Sequence, residues 1–201
     1  MKRAIIVLLS LIIMAGVSSI VFALEIIGDL EYWESNVNNV ASFMNNTPDI
    51  YSTTLGAYNL VTLRSQVSGA RNQWNGAGVP CNTTTTESIA EIKVYGGSLS
   101  EIQNVCPSFQ STYAGLTIAY EILQSGVYLY NGNYKHLYKM DSAIVYVRTG
   151  LSYPVNVITH EIGHSLGWNG HISTSGNVMY GTESSIVTLT TRDKRHISQI
   201  H

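Results

Sequence analysis

His160-Glu161-Ile162-Gly163-His164-Ser165-Leu166-Gly167-Trp168-Asn169-Gly170-His171 concentrates more chemistry than any other segment of this 201-residue chain. Residues four apart on an α-helix stand about one turn from each other on the same face, so His160 and His164 can aim two imidazole nitrogens at one point. Neutral imidazole binds zinc at about 2.0–2.1 Å, and a catalytic zinc site typically keeps three protein ligands and leaves a fourth position for water. Gly167 can end the helix in a left-handed conformation, because glycine has no Cβ to clash there. Beyond that turn the chain can bring His171 back as the third ligand. Glu161 is then suited to act on the water, since a metal lowers its pKa toward about 7 and a neighbouring carboxylate can take the proton. On the N-terminal side Pro154 breaks the chain, after which Val155, Val157, Ile158, Ile162 and Leu166 form the buried side of the helix.

Together with Gly176-Asn177-Val178-Met179-Tyr180, residues 160–171 resemble the metzincin zinc metalloproteases, and among them the matrixin type. The resemblance implies one catalytic Zn2+ held by His160, His164 and His171, with Glu161 as general base, Gly167 as the turn glycine and Met179 in a tight turn beneath the metal. It implies an α+β, metzincin-like zincin domain, a mixed twisted sheet on two long helices followed by a C-terminal helix. Leu189-Thr190-Thr191-Arg192-Asp193 resembles the start of that last helix, with Thr190 or Thr191 as its cap. In such a fold an edge strand beside the cleft holds extended substrate by main-chain pairing, and Leu116–Ile122 is the candidate here. One departure is plain: three residues, Trp168, Asn169 and Gly170, separate the glycine from the third histidine where the family pattern has two. Asn-Gly is a turn pair that tolerates positive φ, so the extra residue is expected to be absorbed locally. Calcium and a second zinc are common in the family, but this chain has no clustered acidic loop and neither is assigned. Tyr180 is read as a wall or core residue, and Gly181–Leu189 as the segment shaping the substrate pocket.

The rest of the chain bounds where such chemistry would operate. Met1-Lys2-Arg3 precedes an apolar run from Ala4 to Phe22, and Val21-Phe22-Ala23 carries small residues where a signal peptidase cleaves. Residues 1–23 are read as a secretory signal, with a retained N-terminal membrane anchor as the alternative. Either fate puts the domain outside the cell, secreted or membrane-anchored. Without residues 1–23 the chain keeps 9 basic and 13 acidic residues, a net charge of −4, with no basic patch for nucleic acid. Cys81 and Cys106, the only cysteines, form an even pair that an oxidising compartment could close into a disulfide; two unpaired thiols are the other reading. Asn45 and Asn82 match the glycosylation acceptor pattern, which is frequent by chance in a chain rich in Asn and Thr.

Residues 24–48 read as a polar, exposed lead-in, and 49–201 as one catalytic domain. Leu60, Leu63, Val67, Ala70 and Trp74 recur at helical spacing, which predicts an amphipathic helix over 60–74 with a core-facing side. Asn82–Thr86 reads as a polar loop. Ile89–Tyr95 reads as a strand stopping at Gly96-Gly97, and Leu116–Ile122 and Ala143–Val147 as two more. The function these features predict is a secreted zinc metalloendopeptidase acting on protein or peptide substrates. The competing reading is a secreted zinc-binding surface or interaction protein without proteolytic activity. Structural zinc usually has four protein ligands, and none of His136, His196 and His201 lies in a local motif that supplies a fourth.

Overall fold

A computed structural model describes residues 26–201; the apolar segment 1–23, read above as signal or anchor, lies outside the described residues. Among the described residues no helix is long and apolar enough to cross a membrane. Among the described residues the architecture is mixed α and β, a seven-stranded mixed sheet with four α-helices.

The sheet is organised by a long hairpin. Strands β6 (Gly115–Tyr130) and β7 (Asn133–Arg148) pair antiparallel along their length. Asn131 and Gly132 join them, both at positive φ, 49° and 76°. Two successive residues of that kind twist a two-residue turn in the same sense as the strands it joins. The expected strands Leu116–Ile122 and Ala143–Val147 are thus the outer segments of one ribbon. On its other side β7 is met first by β2 (Asn39–Phe43) at His136–Met140 and then by β5 (Ile92–Gly97) at Ala143–Arg148, both parallel. Beyond β5 lie β3 (Asp49–Thr54) and β4 (Asn82–Thr84), while β1 (Ile26–Asp29) pairs with the far end of β6 around Val127–Leu129.

Strand alternation divides the apolar side chains between the two faces of the sheet. Ile92, Val94, Val145 and Val147 point into the main core, which they share with α1 (Leu60–Asn75) and α3 (Pro154–Ser165). Tyr146 points the other way, against Ile102 of α2 (Leu99–Val105) and Phe109. Helix α1 begins where the Asn59 side chain accepts the Thr62 N–H at 2.9 Å, and buries Leu63, Val67, Ala70 and Trp74, the face its spacing predicts. Leu63 and Val67, fully buried, each contribute about 1.5–3 kcal/mol. Pro154 opens α3, where a missing N–H costs nothing because the first turn has no intrahelical acceptor. The last helix, α4, spans Thr191–Ile197.

Four expectations are corrected. From Ile26 onward the polar lead-in enters the sheet, and Val40, Ala41 and Phe43 are buried, because β2 fills the space beside the first half of β7. Asn82–Thr84 is a short strand on β3 rather than loop. The strand expected from Ile89 starts at Ile92, with Glu87–Ile89 forming a 3-10 turn that leaves Ile89 exposed. Cys81 and Cys106 are both buried and free. Cys81 belongs to the main core and Cys106 to the smaller one, so the sheet lies between them.

Candidate metal centre

Helix α3 delivers His160, Glu161 and His164, and main-chain carbonyls orient both imidazoles. His160 Nδ1 lies 2.7 Å from the Val178 carbonyl oxygen, and His164 Nδ1 lies 2.7 Å from that of Trp168. A carbonyl only accepts, so each Nδ1 carries the hydrogen and each Nε2 presents a lone pair. The two Nε2 atoms stand 2.9 Å apart. With both rings in that tautomer no hydrogen lies between them, and two lone pairs face each other across a gap that a cation would relieve. His171 closes the group, its ring centroid 5.2 Å from that of His160 and 5.0 Å from that of His164. One ligand atom from each of the three lies within 4.8 Å of the others.

Burial keeps these rings neutral, the form that binds metal. It lowers His160 to about 4 and His164 well below the usual imidazole range, and it lowers His171 as well. The three imidazoles are a donor set that suits zinc. Among the described residues they are the one such cluster. His136 contacts Gln124, His196 lies between tryptophan rings, and the His201 ring meets the Leu166 carbonyl.

The chain turns as its glycines allow. Gly167 follows α3 at φ +111°, and a Cβ there would collide with the Ala41 carbonyl oxygen of β2. In the Asn169-Gly170 pair the positive φ falls on Gly170 alone, at +74°. Met179 is fully buried beneath α3. A Cβ on Gly163 would lie 2.6 Å from its sulfur and 2.5 Å from the Trp74 ring, which measures how closely the helix rests on this floor. Trp74 Nε1 donates to the Thr159 carbonyl at 2.9 Å, joining α1 to α3.

Two contributors escaped the sequence reading. The Asp193 carboxylate, wholly buried, accepts the N–H groups of Val178 and Met179, each at 3.1 Å. It also accepts from the Thr190 N–H at 2.8 Å, and Thr190 is the cap of α4. The methionine turn is thereby tied to the last helix. The signal that could have found it is the Thr-x-x-Asp spacing of a capping box. The second is Thr117 of β6, whose hydroxyl donates to Glu161 Oε2 at 2.6 Å. Glu161 is buried, and burial pushes its carboxyl up to about 7 against the opposing pull of that hydrogen bond.

His160, Glu161, His164, His171 and Thr117 line a cleft of about 750 Å³ between β6 at Gly115–Thr117, α3 at Val157–His164 and the segment Tyr180–Glu183. Asn156 braces its far wall, accepting the Ser184 N–H at 3.0 Å and donating to the Ile186 carbonyl. Among the described residues β1 reaches β6 only near Val127–Leu129, so there the Leu116–Ile122 stretch borders the cleft as a sheet edge. Comparison with protein-family models and with curated proteins gives no match for this chain.

Proposed function

We propose that the chain is a zinc-dependent endopeptidase, a metzincin-like zincin of the matrixin type, acting outside the cell on protein or peptide substrates. The observation that carries this reading is the pair of imidazole Nε2 atoms 2.9 Å apart, each oriented by a carbonyl on its Nδ1, beside a buried carboxyl in an open cleft. His160, His164 and His171 would hold the zinc, which when bound supplies Lewis acidity to water and to a carbonyl oxygen. The chain's own groups do the rest. The free edge of β6 pairs with the main chain of an extended peptide and presents its scissile carbonyl to the cleft. Glu161 takes a proton from the attacking water on its carboxylate as the C–O bond forms, then passes it to the amide nitrogen, so that the peptide C–N bond breaks and the amine departs. Thr117 keeps that carboxylate turned to the cleft by donating to Oε2.

Glu161→Gln tests the reading. The variant should retain zinc at the wild-type stoichiometry and lose about 10²–10⁴-fold in turnover of a quenched-fluorescence peptide library, the usual worth of general acid–base catalysis. Turnover within a few-fold of wild type would remove Glu161 from this role. A zinc-loaded wild type that cleaves nothing in the library, with or without chelator, would favour the zinc-binding surface protein instead.

A further inference from the structure

We infer that the segment Trp33–Val37 is a strap that sets how tightly the metal centre holds zinc, with Asn36 as the positioning residue for His171. The inference rests on the zinc reading above. His160 and His164 are carried by a helix, whereas His171 follows a non-helical loop, so its placement depends on what holds that loop. Both main-chain groups of His171 end on Asn36. The His171 N–H donates to Asn36 Oδ1 at 3.0 Å, and the Asn36 N–H donates to the His171 carbonyl at 3.2 Å. Next to it the Ser35 hydroxyl donates to the Asn169 carbonyl, and Ser35 bridges Ile172 in antiparallel fashion. The loop residues between Gly167 and His171 are fitted to the strap: a Cβ on Gly170 would overlap Asn36 Oδ1 and lie 2.7 Å from Ser35 Oγ.

The strap is itself anchored. Trp33 Nε1 donates to the Val37 carbonyl at 3.0 Å, which closes the segment into a loop. The His196 ring of α4 lies between the Trp33 and Trp168 rings, at centroid distances of 4.5 and 3.8 Å. Trp168 in turn supplies the carbonyl that orients His164. One N-terminal segment therefore reaches the third ligand directly and the second through two tilted ring contacts. Groups that orient metal ligands from outside commonly change affinity by about 10–100-fold when removed.

The test is the zinc dissociation constant of the full chain, measured by competition with a chelating indicator, for wild type, Asn36→Ala, Asn36→Asp, Ser35→Ala and His171→Ala. Asn36→Ala should weaken zinc binding about tenfold or more, and Asn36→Asp, which keeps the accepting oxygen, should bind at least as tightly as threefold below wild type. The visible absorption of the cobalt(II)-loaded protein should shift in Asn36→Ala and not in Asn36→Asp. Ser35→Ala, a milder change, should weaken binding several-fold and serves if Asn36→Ala does not fold. Asn36→Ala or Ser35→Ala with a lowered melting temperature but wild-type zinc affinity, while His171→Ala loses affinity, would overturn the strap and leave the zinc reading standing. Wild-type protein without zinc affinity, or His171→Ala binding as wild type, would overturn both.

Discussion

Asp193 lies outside the cleft, yet its carboxylate fixes the turn beneath the three-histidine cluster by accepting two consecutive N–H groups, those of Val178 and Met179. Those donors are buried, so removing the acceptor leaves them without compensation. Asp193→Ala should cost about 2–4 kcal/mol in a urea unfolding series, because hydrogen bonds to a charged group are worth about 1.5–3 kcal/mol each and orphaned buried donors add to the loss. An unchanged midpoint would mean that the turn holds itself. His160, Glu161 and His164 were legible from the chain because i and i+4 on a helix is a local relation that no tertiary contact needs to supply. Asp193 and Thr117 were not, since a carboxylate 14 residues from the N–H it accepts and a hydroxyl 44 residues from its partner leave no periodic trace.

At the level of elements, helix α1 matched its spacing closely, whereas the β6–β7 ribbon was underestimated at both strands. The missing signal was present: Asn131-Gly132 is the strongest two-residue hairpin pair. Residues 123–142 mix Lys135, Lys139 and Asp141 with tyrosines rather than alternating cleanly: Leu137 and Met140 are buried, but register shifts between Tyr120 and Gly126 of β6 interrupt the period. The turn allows a direct test. A Cβ at Gly132 meets nothing within 4 Å, so Gly132→Ala is penalised by its φ of +76° alone. It should cost about 1–2 kcal/mol, read as a drop in melting temperature.

For the whole molecule, acid should be the weak direction. Burial pushes His196 down to about 3, with the Lys135 charge adding to the effect, from an ordinary value of 6.5. Its Nδ1 already accepts the Glu34 N–H at 3.1 Å, and the Trp33 and Trp168 rings flank it. Above pH 6.5 the ring is neutral in both states. Below it the unfolded chain binds a proton that the folded chain refuses, so stability falls progressively from about pH 6.5 toward pH 3, by on the order of 4 kcal/mol at the low end from this group. Urea unfolding across that range should show the slope, and His196→Phe should reduce it by about one proton; an unchanged slope would show that His196 is not the group responsible. The chain alone determined the helical pair of histidines, the carboxylate beside them, the glycine that ends the helix and the amphipathic face of α1, all of which are relations within a few residues. Only the tertiary structure decided that the polar N-terminal stretch joins the sheet and straps the third histidine, that the two cysteines lie on opposite faces, and that Asp193 holds the methionine turn. Those are contacts between segments far apart in the chain, chosen by which surfaces pack and which buried N–H groups need an acceptor, and neither requirement can be read from neighbours in sequence.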